Sequence, residues 1–252
     1  MRLLILGGSS EASALVRHLA GDPAFSPVLS LAGRTRNPVL PPIPHRVGGF
    51  GGVAGLTDYL RREAVELVID ATHPFAERMS ANAETACRTA GVPLAVFTRP
   101  PWRPQTGDRW REVAGAAEAA LAIGALPRRV FLTVGRLQLD SFAAAPQHDY
   151  LIRSIDGPEA PLALPRHRLI LARGPFSLED ELSLMKREAI DCLITKNSGG
   201  EASRAKLDAA RQLGLEVVLM RPPPRPAARI FHDLDSLVDF LTQRGHGALL
   251  GV

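Results

Sequence analysis

Residues 67–101, LVIDATHPFAERMSANAETACRTAGVPLAVFTRPP, and residues 192–223, CLITKNSGGEASRAKLDAARQLGLEVVLMRPP, spell one pattern twice. Each copy runs through a short apolar strand, a polar loop, an alanine-rich helix, a glycine stop (Gly91, Gly214), a second strand and an Arg-Pro-Pro bend. Strand, helix and strand in that order make a crossover unit, which joins parallel neighbours with a right-handed connection. Loops at the carboxyl ends of such strands carry ligand sites, so DATHPFA (70–76) and TKNSGG (195–200) are where chemistry is expected. Two similar halves with two different loops predict a cleft between them.

The same grammar extends outward to both ends. Residues 2–6 form an apolar strand, and 10–20 carry Ala12, Leu15, Val16 and Leu19 at helical spacing. Further strands are expected at 28–32, 46–47, 67–69 and 94–98, with helices at 56–63 and 77–90, the second stopped by Gly91 as its C-cap. A proline-rich stretch around 100–104 and a helix at 114–123 lead to a boundary near Leu126. The second series opens at 130–134 and continues in strands at 150–155, 169–172, 192–194 and 217–219. Its helix at 177–188 has Ser177 as N-cap and Glu179, Asp180 and Glu181 in the first turn, and a helix at 234–241 matches 114–123. The expected fold class is α/β, with two Rossmann-like parallel-sheet domains, 1–126 and 127–252, and an interdomain cleft.

Composition sets the outer bounds. The 252 residues are 46% hydrophobic and 22% charged, ordinary values for a chain with a sizeable core. No apolar run approaches the roughly 20 residues of a membrane span, and residues 1–6 lead straight into Gly7-Gly8, too short for a signal peptide, so a cytoplasmic protein without a membrane partner is expected. Cys87 and Cys192 lack metal-ligand spacing and read as small apolar fillers, and no metal is expected. The net charge of +4 comes from scattered arginines, without a basic stripe interleaved with aromatics, so an acidic small molecule is favoured over nucleic acid. A monomer or weak homodimer is expected.

The first chemical site is the opening turn, Leu6-Gly7-Gly8-Ser9-Ser10-Glu11-Ala12. It follows a strand and begins a helix, so free N–H groups and the positive end of the helix dipole converge where a pyrophosphate can sit. Ser9 and Ala12 replace the second and third glycines of the usual dinucleotide turn, and the Ser9 and Ser10 hydroxyls can add hydrogen bonds. At the end of the second strand Ala32-Gly33-Arg34-Thr35-Arg36 offers guanidinium and hydroxyl groups where NAD-specific folds place an acid, and Arg34 and Thr35 therefore favour NADPH. Gly49, within the glycine run 48–52, comes next around the cofactor. In DATHPFA, Asp70, which closes a buried strand, is expected at the cofactor together with Ala71 and Thr72, and Pro74-Phe75 stiffens the loop with an apolar plate. His73 is the one group there suited to proton exchange near neutrality, as a reductase that protonates a carbon requires; the alternative is a structural histidine.

These stretches resemble the precorrin-6A reductase family of cobalamin biosynthesis. The likeness rests on ILGGSSEA (5–12), SLAGRT (30–35), GGFGG (48–52), DATHPFA, LTVGR (132–136) and TKNSGG with the Lys206-Leu207-Asp208-Ala209-Ala210 that follows. It covers nearly the whole chain. The resemblance implies NADPH-dependent reduction of one double bond of a corrin precursor macrocycle, giving precorrin-6B, with two Rossmann-like domains enclosing the site; the glycine turn places the dinucleotide on the N-terminal domain, and the C-terminal domain is expected to hold the substrate. The family also includes a cobalt-precorrin-6A branch.

A tetrapyrrole precursor carries several carboxylates, so its pocket needs distributed cations and donors. Arg136, Arg173 and Lys196 answer that need, with Asn197 as a further donor and Ser198-Gly199-Gly200 as a nest-like turn; Arg153 reads rather as a surface charge. His73 and Phe75 are expected on the substrate as well. Three rival readings stand beside this one. A short-chain dehydrogenase needs a Tyr-x-x-x-Lys pair, and neither Tyr59 nor Tyr150 has a Lys four residues on. The others are a non-catalytic two-domain dinucleotide sensor and a glycosyltransferase-like protein with a nucleotide sugar between its halves.

Overall fold

Strands made almost wholly of Leu, Ile, Val and Phe, with no polar face, demand cover on both sides, and a parallel sheet between helix layers supplies it. The computed structural model of the chain describes residues 1–33, 41–158 and 161–249, of which 246–249 are described by backbone alone. In chain order the elements are β1 (Arg2–Leu6), α1 (Ser10–Leu19), β2 (Ser26–Leu31), β3 (His45–Val47), α2 (Gly52–Arg62), β4 (Leu67–Asp70), α3 (Glu77–Ala90) and β5 (Leu94–Phe97). Then come β6 (Arg109–Val113), α4 (Ala116–Ala122), β7 (Arg129–Thr133), a 3₁₀ segment (Arg136–Ala144), β8 (Asp149–Ser154), β9 (His167–Leu171) and α5 (Leu178–Arg187). The chain ends with β10 (Cys192–Lys196), a 3₁₀ turn (Glu201–Ser203), α6 (Ala205–Gln212), β11 (Glu216–Met220), β12 (Arg229–Phe231) and α7 (Leu234–Leu249).

The strands form two six-stranded sheets with matching orders, β12-β5-β4-β1-β2-β3 and β6-β11-β10-β7-β8-β9. Every pairing is parallel. In each sheet the order reverses beside the first strand of its series: β1 lies between β2 and β4, and β7 between β8 and β10. This is the doubly wound arrangement, and the reversal marks where strand-end loops diverge to leave room for a ligand. The expected α/β class with two Rossmann-like sheets is what the chain adopts.

The period-2 alternation of side chains divides each core. In the first sheet Leu3, Ile5, Leu67 and Ile69 pack with Leu15, Val16 and Leu19 of α1 and with Leu237 and Leu241 of α7. The alternate residues Leu4, Leu6 and Val68 pack on Leu56 and Leu60 of α2 and on Ala83, Ala86 and Cys87 of α3. In the second sheet Phe131, Leu151, Leu193, Val217 and Leu219 meet Leu184 and Met185 of α5 and Leu207, Ala209 and Ala210 of α6. Caps end the helices where expected: Gly91 takes φ 72° after α3, and the Ser177 hydroxyl accepts from the Asp180 N–H at 3.1 Å.

The domain boundary differs from the sequence expectation. The chain divides into one unit of residues 1–100 with 223–252 and another of residues 101–222, rather than at Leu126. The reason lies in the two Arg-Pro-Pro bends. After the first, β6 extends the second sheet beside β11; after the second, β12 extends the first sheet beside β5. The helices 114–123 and 234–241 thus each close the other series. The strands β6 and β12 escaped the sequence reading because both are edge strands. Arg109-Trp110-Arg111-Glu112 is mostly exposed and polar, and Arg229–Phe231 is only three residues long. Other expected boundaries fall within a few residues, except that α2 starts earlier, at Gly52, and α7 runs on to Leu249.

Candidate functional site

At the switch point of the first unit, the loops after β1 and β4 are tied together. Ser9 caps α1 by accepting from the Ala12 N–H at 3.1 Å, and its hydroxyl donates to the Ala71 carbonyl at 2.7 Å. The Gly7 N–H is spent on the Ser30 carbonyl of β2 at 2.9 Å. Gly8 has φ +112°, a conformation L side chains rarely adopt, and no atom lies within 4 Å of where its Cβ would stand. The turn therefore presents open backbone at the start of a ten-residue helix, as an anion cradle requires.

The serine hydroxyls have other work than the sequence suggested. That of Ser9 braces the two loops, and that of Ser10 donates to Glu11 at 3.1 Å while accepting from Arg99 Nη1 at 3.0 Å. Arg99, from the first Arg-Pro-Pro bend, pairs with Glu11 at 3.0 Å, both side chains being 17% exposed. Burial pushes the Glu11 carboxyl up, but its backbone N–H and the Arg99 guanidinium outweigh that and hold it below the ordinary glutamate range. Sequence reading took the bend as a proline turn and missed Arg99; the repeat of Arg before Pro-Pro was the available signal.

Asp70 is 1% exposed and turned inward. Its Oδ1 accepts from the Thr72 N–H at 3.0 Å and the Thr72 hydroxyl at 2.6 Å, and its Oδ2 accepts from the Ser80 hydroxyl of α3 at 2.5 Å. The Asp70 and Thr72 side chains, expected on the cofactor, thus shape the DATHPFA loop from within. His73 and Phe75 are half-buried, with ring centroids 6.0 Å apart. His73 Nδ1 accepts from the Phe75 N–H at 3.2 Å, which in the neutral ring places the proton on Nε2.

The glycine run is braced by Arg46. Its guanidinium donates to the Ser30 hydroxyl at 2.8 Å and to the Gly48 and Gly49 carbonyls at 2.9 Å each, and it lies 3.8 Å from the Phe50 ring centroid. Gly55 is obligatory for this packing, because a Cβ there would stand 1.8 Å from the Phe50 carbonyl oxygen. Arg34 and Thr35 lie outside the described residues.

The loop after β10 in the second unit divides into braces and candidates. Asn197 is 3% exposed, and both ends of its amide hold the backbone of Trp102: Oδ1 accepts from the N–H at 2.7 Å and Nδ2 donates to the carbonyl at 3.0 Å. The Trp102 indole N–H donates to the Gly200 carbonyl at 3.0 Å. Ser198 is 7% exposed, and Gly199 and Gly200 both take positive φ. Lys196 is half-buried, its ammonium 3.2 Å from where a Cβ on Gly135 would be, so the loops after β7 and β10 meet there. Arg136 is half-buried and donates to the Gly157 carbonyl at 3.4 Å, and Arg173 is exposed.

Arg153 is not a surface charge. It makes two bonds to Glu181, at 3.0 and 2.6 Å, with side chains 9% and 2% exposed, and stacks 3.8 Å from the Phe176 centroid. Its fork geometry and aromatic cover suit a buried architectural pair. Burial pushes both the Cys87 and Cys192 thiols up to about 12, in keeping with inert core positions. No described helix is long and apolar enough to cross a membrane.

Comparison with known proteins agrees with this geometry over almost the full length. Residues 2–242 match the family model described as precorrin-6x reductase CbiJ/CobK. A precorrin-6A reductase of Rhodobacter capsulatus is 52% identical over 244 residues, covering 97% of each chain. One from Rhodococcus erythropolis is 49% identical, covering 90% of this chain and 91% of the relative. A solved structure titled CobK precorrin-6A reductase superposes with a TM-score of 0.91 at 51% identity, covering 97% of each chain. With the family model, the relatives and the superposition in agreement over nearly the whole chain, this chain belongs to the precorrin-6x reductase CbiJ/CobK family.

Proposed function

We propose that the chain reduces one C=C bond of precorrin-6A with NADPH, giving precorrin-6B. The observation that carries this reading is the bonded pair of loops at the first switch point: the open Gly8 backbone before α1, tied through Ser9 and Ala71 to the loop that bears His73. The relatives reported above are named for precorrin-6A, which favours the cobalt-free substrate over its cobalt counterpart.

The residues fit a dinucleotide. Backbone N–H groups at Gly8 to Glu11 and the dipole of α1 would hold its pyrophosphate, Gly49 would border it, and Arg34 and Thr35 would take the 2′-phosphate that separates NADPH from NADH. When bound, the nicotinamide supplies a hydride, and the protein supplies orientation and charge complementarity. Asp70, held by Thr72 and Ser80, fixes the loop on which His73 stands. His73 is the group of that loop able, as the imidazolium, to give a proton from Nε2 to the carbon beside the reduced one. Arg136, Lys196 and the turn Ser198-Gly199-Gly200 of the second unit would receive macrocycle carboxylates, while Asn197 keeps that loop in shape.

The test is anaerobic incubation of the purified protein with precorrin-6A and NADPH, with cobalt-precorrin-6A in a parallel tube. Loss of the NADPH absorbance and a product heavier by two hydrogens are expected with precorrin-6A. Tight NADPH binding without oxidation of the cofactor in either tube would favour the sensor reading instead.

A further inference from the structure

Arg225 stands on a stiff frame. Pro222, Pro223, Pro224 and Pro226 fix four backbone φ angles around it, and the Ala228 N–H closes a tight turn on the Pro226 carbonyl at 2.8 Å. Its guanidinium is half-buried and donates through Nη2 to the Thr98 hydroxyl at 2.8 Å; Thr98 is 5% exposed and follows β5. That partner is a neutral hydroxyl, one acceptor for a group with five N–H donors. Burial weakens the charged form, Asp70 at the end of β4 supports it, and Arg99 opposes it, so Arg225 lies within electrostatic reach of both. Neither neighbour leaves it satisfied. The Asp70 carboxylate already accepts three hydrogen bonds, and Glu11 is engaged by Arg99.

Arg225 is thus held at the carboxyl end of β5 through Thr98, the residue before Arg99, on the sheet that carries the glycine turn and DATHPFA. Glu11 balances the Arg99 charge, whereas Arg225 donates to a neutral hydroxyl, and its preorganised fork is suited to a planar oxyanion. We propose that Arg225, with Arg99 beside it, is an oxyanion-binding residue of the first unit that positions the reacting pair on the β5 side of the switch point. The oxyanion is a carboxylate of the macrocycle or a phosphate of the dinucleotide. The carboxylate is favoured, because the backbone donors before α1 already serve the pyrophosphate. This extends the substrate's carboxylate contacts beyond the second unit and rests on the reductase reading above.

The experiment compares wild type with Arg225→Gln, which keeps a donor for Thr98, and with Arg225→Lys. It measures KM and kcat for precorrin-6A, the Kd of NADPH by fluorescence without the macrocycle, and Tm. For Arg225→Gln a rise of about 10- to 100-fold in KM for precorrin-6A is expected, the range for a hydrogen bond to a charged group. Partial recovery of KM is expected in Arg225→Lys, and an unchanged or higher Tm in Arg225→Gln, where an imperfectly compensated charge is removed. The same rise confined to the Kd of NADPH would identify the phosphate as the oxyanion. Unchanged KM and Kd, or a fall in Tm with ligand binding intact, would overturn the proposal. Absence of wild-type turnover would count against the reductase reading, and the NADPH arm would still distinguish the variants.

Discussion

Asn197 grips the backbone of Trp102 at both of its polar groups, 95 positions away in sequence. A side-chain amide used this way replaces a missing strand neighbour, and it commits the amide oxygen and one of the two Nδ2–H donors to backbone. Asn197→Ala is expected to leave the Trp102 N–H and carbonyl buried and unsatisfied, at about 1–3 kcal/mol for each. Urea denaturation should show that loss, while the Kd of NADPH stays at the wild-type value. A variant of normal stability with a raised KM for the macrocycle would return Asn197 to the substrate.

The Arg153–Glu181 pair offers a test of buried charge. Arg153→Met alone strands the Glu181 carboxylate in a site 2% exposed, and a loss of about 3–5 kcal/mol is expected. Adding Glu181→Leu should recover most of it, because the desolvation cost then disappears with the second charge. Full additivity of the two losses in a double-mutant cycle would show that the pair is not coupled.

His148 sets a pH dependence of stability. It is 0% exposed, neither ring nitrogen has a hydrogen-bond partner, and its ring meets Tyr150 edge-on at 6.0 Å. The Gly124 carbonyl lies close enough to favour the protonated ring but accepts from Gln147 instead. Burial, reinforced by Arg128 and Arg166, holds its pKa below the ordinary histidine value. The unfolded chain therefore takes up a proton at this residue before the folded one does, so stability falls as pH drops below about 6.5. His148→Phe should flatten the Tm profile between neutral and mildly acidic pH. An acid slope as steep as that of the wild type would assign it to other groups.

His73→Asn tests whether the DATHPFA loop is chemical or architectural. An essential acid should cost about 10²–10⁴-fold in the reduction step with little change in Tm. The expected outcome is a modest loss of single-turnover rate from disturbed positioning, with the wild-type pH profile retained. Disappearance of one pH-dependent limb would instead make His73 the proton donor.

We propose that cofactor choice rests on Arg34. Arg34→Ala should weaken NADPH by about 1.5–3 kcal/mol, the range for a hydrogen bond to a charged group, and leave NADH almost untouched. Equal losses for the two cofactors, measured by titration, would remove the 2′-phosphate from this residue.

The sequence by itself determined what depends on neighbours a few positions away. Apolar runs flanked by loops gave β1, β4, β7 and β10, helical spacing gave α1 and α3, and Gly91 and Ser177 marked helix ends, because periodicity and capping are local physics. The glycine turn and DATHPFA were legible for the same reason: each is one continuous stretch at the end of a strong strand. Tertiary structure alone decided which sheet each edge strand joins, since β6 and β12 are short or polar and stay in place by hydrogen bonds to β11 and β5. It also separated braces from ligand candidates. Ser9 meets Ala71 across 62 positions and Arg99 meets Glu11 across 88, and no local pattern encodes such distant partners. A polar side chain in a loop reads the same whether it faces a ligand or a backbone carbonyl, and only the folded packing of β1 against β4 and of β10 against β7 determines which.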